Sequence, residues 1–112
     1  MKPERRTARS EDPSTALGLY LRSVSRKGAL EAAVVCDDAG LLIAGSAEKK
    51  VDLEALAAVG PLKGAKHEGR PVHRKSYDIG GTVLWFVALG PQAPEAKDLG
   101  QALGRILSLD AA

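Results

Sequence analysis

The sequence predicts one α+β domain in which an antiparallel sheet has helices on both faces. Three observations indicate this class. Two apolar runs flank an Asp-Asp-Ala-Gly connector at residues 37–40, as in a β-hairpin. A second pair of strand-like runs flanks Gly80-Gly81, and three segments repeat apolar residues with the period of a helix. The predicted order of elements is α-β-β-α-β-β-α, and 112 residues are enough for one such domain.

The composition excludes several classes of protein. Hydrophobic residues make up 45% of the chain but aromatic ones only 4%, so we expect a core of small aliphatic side chains. A net charge of +2 is too small to indicate a nucleic-acid partner. One cysteine provides no disulfide framework, and the longest apolar run, at residues 82–89, is far shorter than the roughly 20 residues that span a membrane. Because the basic N-terminus also lacks the apolar core of a secretory signal, we expect a cytoplasmic protein with no membrane partner.

The first twelve residues, 1–12, are predicted to form a disordered basic tail, and residues 13–112 the folded domain. No apolar residue lies between Met1 and Ala8, so burial cannot offset the entropy lost on ordering. The tail could contact a phosphate or an acidic partner, but a solvating extension is the simpler interpretation.

The first helix is predicted to begin at Asp12-Pro13, with Asp as the N-cap and Pro at the first helical position. One apolar stripe follows at the spacing i, i+3, i+4 and i+7: Leu17, Tyr20, Leu21 and Val24. Gly28, directly after two basic residues, is expected to end the helix.

The central hairpin is predicted to be buried on both faces. Val34 and Val35 are adjacent and apolar, so they point to opposite faces of the sheet and each needs cover. In the connector, Gly40 is the candidate for a left-handed backbone conformation. Asp37 and Asp38 could ligate a cation or act as a carboxylate pair, but hydrogen bonds within the turn are a sufficient role for them.

The second helix is predicted to be capped by Asp52, with Val51 packing against Leu56 across the first turn. Its narrow apolar stripe contains residues small enough for close approach to another element: Leu53, Leu56, Ala57 and Gly60. Gly60-Pro61 is expected to end the helix, and residues 62–69 to form a loose basic link.

Two further strands are predicted to complete the sheet. Residues 72–79 indicate an edge strand, because Pro71 at the start and two basic residues within it are typical of edges. Gly80-Gly81 turns the chain into residues 82–89, whose continuous apolar character indicates a strand covered on both faces.

The last helix is predicted to have Pro94 and Glu95 in its first turn. Its apolar stripe consists of Leu99, Leu103, Ile106 and Leu107. Since consecutive hairpins produce antiparallel neighbours, we expect the first and last helices on one face of the sheet and the middle helix on the other.

Residues able to do chemistry are few and scattered. The thiol of Cys36 lies in an apolar strand and is expected to be a core group rather than a nucleophile. His67 and His73 have no acidic or thiol cluster at a catalytic spacing, so we expect surface imidazoles. Trp85 and Phe86 could stack on a nucleobase, but at least one must be in the core. With no phosphate-loop or zinc spacing, we predict no catalytic residue, metal or cofactor, and no enzymatic activity.

The middle helix and the edge strand indicate an interaction surface. A short helix of small residues that is alone on one face of the sheet cannot cover that face fully. A second copy of the chain or another protein could therefore cover the rest. The alternative is that the helix simply packs on its own sheet. Self-association is the favoured interpretation, because an edge strand beside such a helix is also what β-augmentation uses.

Residues 15–109 resemble the roadblock / dynein light chain superfamily, of profilin-like fold and bacterial type. The most recognisable block is GALEAAVVCDDAGLLIAGS at residues 28–46, followed by residues 51–60 and by TVLWFVALG before a Leu-rich terminal helix. Members of this family usually have three strands after the middle helix. Residues 64–90 of this chain have room for two good strands and a rudiment of a third.

The resemblance implies a non-enzymatic module that forms a homodimer through the middle helix and the following edge strand. Such modules often bind small Ras-like GTPases as regulators or scaffolds. Carried over by position, the implied dimer surface consists of Leu53, Leu56, Ala57, Gly60, Val72, Arg74 and Ser76. Leu56→Asp is expected to break a helix-mediated dimer, because the charge would be unpaired at a buried contact. Neither Arg70 nor Arg74 has the defined setting of an arginine finger.

Three functions follow from this reading. The leading hypothesis is a dimerising regulator or scaffold for a small Ras-like GTPase. The second is a scaffold subunit that recruits another protein regardless of nucleotide. The third is a small-molecule sensor, which a ligand-sized cavity near Cys36 or Trp85 would favour.

Overall fold

The computed structural model describes residues 13–64, 66–91 and 98–107. Three helices and six strands follow one another in this part of the chain. In order they are α1 (Pro13–Lys27), β1 (Ala32–Asp37), β2 (Leu42–Ala47), α2 (Leu53–Val59), β3 (Lys66–His67), β4 (Arg70–Pro71), β5 (His73–Ile79), β6 (Thr82–Leu89) and α3 (Leu99–Leu107).

The main sheet has four antiparallel strands in the order β2-β1-β6-β5. β1 lies in the middle and pairs with β2 on one side and β6 on the other, so that Cys36 faces both Leu42 and Trp85 across the ladders. β5 is the outer strand at the β6 side. The predicted edge position of the strand at residues 72–79 is therefore confirmed. The predicted central position of the first hairpin is right for β1 but wrong for β2, which is the other outer strand of the sheet.

Two apolar clusters cover the two faces of the sheet, as the sequence predicts. The stripe of α1 and the residues Leu99 and Leu103 of α3 pack on one face, against Val35 and Phe86. On the other face α2 contributes Leu56 and Ala57 to a smaller cluster with the strands. The first and last helices thus share one face and the middle helix lies on the other.

Local sequence signals explain where several elements begin and end. α1 ends at Lys27, directly before Gly28, whose backbone N–H bonds the Val24 carbonyl at 3.0 Å. The left-handed residue that follows is Ala29, with φ 55°. In the β1–β2 turn Gly40 has φ 84°, which confirms the predicted left-handed glycine.

The start of α2 is capped as predicted, because the Asp52 side chain accepts a hydrogen bond from the Ala55 backbone at 3.1 Å. The helix ends at Gly60, which cannot be replaced by a larger residue without displacement. A Cβ on Gly60 would stand 2.6 Å from Val87 Cγ2 and 2.8 Å from Cys36 Sγ. The missing side chain lets the end of α2 rest directly on the sheet.

Two expectations need correction. The link predicted at residues 62–69 contains strand β3, which pairs with β4 in a separate two-stranded hairpin. The strand predicted to begin at Val72 begins at His73. The β3–β4 hairpin turns at Glu68-Gly69 and has only two residue pairs. Two pairs are too few to show a periodic pattern in the sequence.

The tail at residues 1–12, including the Asp12 cap, and the helix start at Pro94-Glu95 lie outside the described residues. Among the helices that are described, none is long and apolar enough to cross a membrane.

Candidate interaction surface

The middle helix and the edge strand, which the sequence suggested as one surface, are joined by a side chain. Arg74 lies on β5, and its Nε donates a hydrogen bond to the carbonyl oxygen of Gly60, 2.7 Å away. Gly60 is the C-cap of α2, so this carbonyl has no partner in a further helical turn. A guanidinium that binds a helix C-terminus also meets the negative end of the helix dipole. Arg74 therefore holds the end of α2 toward the edge of the sheet.

A tryptophan lies beneath this arginine. The Cζ atom of Arg74 is 4.5 Å from the centroid of the Trp85 ring, a cation–π distance. The indole Nε1 of Trp85 also donates a hydrogen bond to Asp38 Oδ1, 2.9 Å away. Trp85 is partly buried, whereas its neighbour Phe86 points to the opposite face and is only 3% exposed. One of the two aromatic residues is thus core, as predicted, and the other forms part of the surface.

The part of the sheet around Trp85 has less cover than the rest of the same face. α2 packs mainly over β1 and β2. Ser76 on β5 is exposed, and Val72 and Val83 on the same side are partly buried. We call the area formed by Val72, Arg74, Ser76, Val83 and Trp85 the open face.

The seven residues of the implied dimer surface divide into two groups. Leu56, Ala57 and Gly60 are buried within the chain itself, and Leu53 is partly buried. Of the other three, Val72, which precedes β5, and Arg74 on β5 are partly buried, and Ser76 on β5 is exposed. The helix stripe therefore contacts its own sheet, and residues of β5 are the ones that remain accessible.

The outer side of α2 was not singled out from the sequence. Ala55 and Ala58 are exposed there, with Glu54 as the charged neighbour, and Leu62 just after the helix is 57% exposed. An outer side with so few long side chains allows another protein to approach closely. The signal was present in the sequence, since these residues alternate with the buried stripe at helical spacing.

The remaining candidates occupy structural positions. Asp37 Oδ1 accepts hydrogen bonds from the backbone of Ala39 and Leu41, both at 2.9 Å, which confirms its role in the turn. Cys36 is fully buried, as predicted. Burial, together with the nearby carboxylates of Asp37 and Asp38, raises the pKa of the Cys36 thiol to about 11. At neutral pH this thiol is protonated and unreactive.

The two histidines differ from each other. His73 is partly buried, with Nε2 3.1 Å from the Gly90 carbonyl oxygen. His67 is only 6% exposed, so the prediction of a surface imidazole was wrong at this position. The β3–β4 hairpin lies against α2 and His67 is buried, a packing that the sequence pattern of a two-residue strand does not reveal.

Arg70 is held in an ion pair. Its Nη1 and Nη2 donate to Glu31 Oε1 and Oε2 at 2.9 and 2.5 Å, and this hydrogen bonding holds the pKa of Glu31 below its usual value. The pair borders a shallow depression of about 560 Å³ at the end of α1, lined also by Ser25, Arg26 and Lys49. This depression does not include Cys36 or Trp85, the positions at which a cavity would have favoured a sensor.

Within residues 13–64, 66–91 and 98–107, no three His, Cys, Asp or Glu side chains come together in a way that could hold a metal ion. No protein-family model matches the chain, and no curated protein matches it.

Proposed function

We propose that this chain is a non-enzymatic interaction module that forms a homodimer and binds a small Ras-like GTPase, as regulator or scaffold, in the cytoplasm. The observation that carries the proposal is the arrangement around Arg74. One side chain joins the end of α2, the edge strand β5 and Trp85 into a continuous surface. The order of helices and strands is also the one on which the resemblance to the roadblock / dynein light chain superfamily rests.

The chemistry of this surface suits protein binding. Tryptophan and arginine are the residue types that most often dominate the binding energy of protein interfaces. Here both are already oriented, because Trp85 is hydrogen-bonded to Asp38 and Arg74 to Gly60. Side chains held in place before binding lose less entropy when a partner docks. The exposed alanines of α2 offer a further area with little steric obstruction.

The test is a pull-down of tagged protein from cytoplasm of the source cell, with either GDP or a non-hydrolysable GTP analogue present. We expect enrichment of a small GTPase that depends on which nucleotide is present. Light scattering on the purified chain measures the oligomeric state independently. Capture of the same proteins with both nucleotides would instead favour the second function, a scaffold subunit that recruits another protein.

A matched pair of variants locates the binding surface. Ala55→Glu places a charge on the exposed side of α2, and Ser23→Glu places the same charge on the exposed side of α1, across the sheet. We expect Ala55→Glu to weaken capture of the partner and Ser23→Glu to leave it unchanged. Equal capture by both variants would exclude the outer side of α2 from the interface.

A further inference from the structure

Two shallow depressions meet at the C-terminal end of α1. The larger, of about 560 Å³, is the one that the ion pair between Arg70 and Glu31 borders. The smaller, of about 420 Å³, follows the exposed side of α1 and is lined by Leu19, Arg22, Ser23, Arg26 and Lys27. Because Arg26 lines both depressions, they adjoin at this side chain.

Positive charge is concentrated in these depressions. Five basic side chains line them, and we call these the basic surface: Arg22, Arg26, Lys27, Lys49 and Arg70. Among the described residues that line the depressions, two are acidic, Glu31 and Glu48, so the area has a net charge of +3. The whole chain has a net charge of only +2. Such a concentration of one sign of charge attracts a ligand of the opposite sign.

The central arginine of the basic surface is only loosely paired. Arg26 Nε is 3.6 Å from Glu48 Oε2, which is longer than a hydrogen bond, and 59% of the Arg26 side chain is exposed. The two terminal nitrogens of its guanidinium can therefore receive a carboxylate in the bidentate geometry that arginine favours. Arg22, Lys27 and Lys49 form no ion pair within the part of the chain that the structure describes.

The end of α1 does not oppose the binding of an anion, although a helix C-terminus carries a partial negative charge. The N–H groups of Gly28 and Leu30 donate to the carbonyl oxygens of Val24 and Ser25 at 3.0 and 2.9 Å, so these two carbonyls are already occupied. The last turn of the helix also contains two basic side chains. Their full charges outweigh the partial charge of the helix end.

We propose that the basic surface binds an acidic segment of another protein, in which an apolar side chain lies among Asp or Glu residues. The acidic side chains pair with Arg22, Arg26 and Lys49, and the apolar one contacts Leu19, which is 57% exposed beside them. The inference goes beyond the proposed function. α1 and α2 lie on opposite faces of the sheet, so an acidic segment and a partner on α2 can bind at the same time.

The shape of the basic surface favours a protein segment over an anionic membrane. Depressions admit the side chains of a peptide, whereas a bilayer presents a broad surface that contacts protruding residues. Ser25 supports the same choice, because it lines the larger depression, is fully buried and has a hydroxyl without a hydrogen-bond partner among the described residues. Buried hydroxyls are normally paired, and a peptide brings a backbone N–H or carbonyl at every residue.

Fluorescence anisotropy of the full chain with a labelled Glu-Glu-Leu-Glu-Glu peptide tests the inference. We expect binding that weakens as the salt concentration rises, because salt screens exposed charges. The control peptide, Gln-Gln-Leu-Gln-Gln, has nearly the same shape without the charges and should not bind. Equal affinity for the two peptides would overturn the inference.

A matched pair of variants tests whether the charge acts at this site. Arg26→Gln should lower the affinity for the acidic peptide about tenfold or more, the size of a lost hydrogen bond to a charged group. Lys63→Gln changes the net charge equally at an exposed position that lines neither depression, so the affinity should stay within about twofold. Circular dichroism checks that both variants are folded. Equal losses in the two variants would mean that the peptide senses only net charge, which contradicts the proposal.

The variants used for the proposed function separate the two inferences. Ser23→Glu adds a negative charge to the smaller depression and should weaken binding of the acidic peptide, whereas Ala55→Glu on α2 should leave it unchanged. This is the reverse of the effect expected on capture of a GTPase. If Ala55→Glu alone weakens the peptide, the acidic segment binds on α2, and the inference fails while the proposed function stands.

Vesicles test the membrane as the alternative occupant. We expect no more of the chain to sediment with vesicles of phosphatidylserine and phosphatidylcholine than with vesicles of phosphatidylcholine alone. Sedimentation with the anionic vesicles that Arg26→Gln abolishes, without binding of the acidic peptide, would assign the basic surface to a membrane and overturn the inference.

Discussion

Gly60 lies so close to Val87 that the two residues leave no room for one additional carbon atom. A Cβ on Gly60 would stand 2.6 Å from Val87 Cγ2, well inside van der Waals contact. This close approach brings the end of α2 onto the sheet and places the Gly60 carbonyl within reach of Arg74. The position of the proposed interaction surface therefore depends on the absence of a side chain.

Gly60→Ala is expected to destabilise the domain by about 1–3 kcal/mol, because the added methyl group overpacks the contact between α2 and the sheet. The matched control is Gly18→Ala in α1, where the nearest atom to the added Cβ would be the Gly45 carbonyl oxygen at 3.6 Å. The free energy of unfolding of Gly18→Ala should rise by about 0.5–1 kcal/mol, because alanine has a higher helix propensity than glycine. Urea unfolding of the two variants measures both changes, and a stabilised Gly60→Ala would contradict the packing described for α2.

Leu56→Asp is expected to act on the fold rather than on a dimer. Leu56 is fully buried within the chain, so an aspartate there has no partner and costs about 3 kcal/mol or more of folding free energy. Ala55→Glu introduces a charge one residue earlier but on the exposed side, where a glutamate three residues after the Asp52 cap also suits the start of a helix. Thermal unfolding should show a large loss of stability for Leu56→Asp and none for Ala55→Glu. Equal stability of the two would contradict the orientation of α2.

Cys36 is expected to resist thiol reagents while the protein is folded. Its pKa of about 11, against an ordinary value of 9.0, reduces the thiolate fraction near pH 8 about a hundredfold, and burial blocks access as well. Alkylation with iodoacetamide, followed by mass spectrometry, should be very slow in buffer and fast in denaturant. Rapid labelling of the folded chain would contradict the burial of β1.

Tyr20 is expected to stabilise the contact between α1 and α3 in a pH-dependent way. Its hydroxyl donates to Asp98 Oδ1 at 2.6 Å, and this bond holds the pKa of Asp98 below its usual value. A lowered carboxyl pKa stabilises the folded state above the pKa of the unfolded chain, and the contribution is lost as the pH falls through the folded pKa. Tyr20→Phe should therefore be less stable than the natural chain at pH 7, by a small margin that shrinks as the pH is lowered below about 3.8.

The control for this prediction is Tyr77→Phe. Burial raises the pKa of Tyr77, and within the described residues its hydroxyl has no carboxylate partner. The effect of Tyr77→Phe on the free energy of unfolding should therefore not change with pH in the acid range. Urea unfolding at a series of pH values compares the two variants. The same pH dependence of stability in both would contradict the hydrogen bond between Tyr20 and Asp98.

Much of the architecture could be predicted from the sequence because its signals are local. The strand at Thr82–Leu89 is a continuous apolar run between glycines, and its bounds are those predicted. The Asp52 cap, the stop at Gly28 and the left-handed Gly40 each follow from the chemistry of one or two residues. The arrangement of helices on the two faces follows from strands that are apolar on both sides.

The short β3–β4 hairpin and the burial of His67 could not be predicted in the same way. Strands of two residues contain no repeat, and the packing of β3 against α2 is a tertiary contact. The interaction surface was predicted in outline, as α2 and β5 together. From the sequence, Trp85 is a candidate for base stacking, for the core or for a sensor cavity, but not for this surface, because its hydrogen bond joins residues 47 positions apart.

The sequence by itself determined the three helices, the four strands of the main sheet, their order along the chain and the face on which each helix packs, because periodicity, caps and glycines act within a few residues. Only the tertiary structure decided that Arg74 reaches the Gly60 carbonyl, that Trp85 reaches Asp38 and that His67 is buried. These features depend on distances between segments far apart in the chain. Those distances are set by packing, above all by the close contact of Gly60 with Val87.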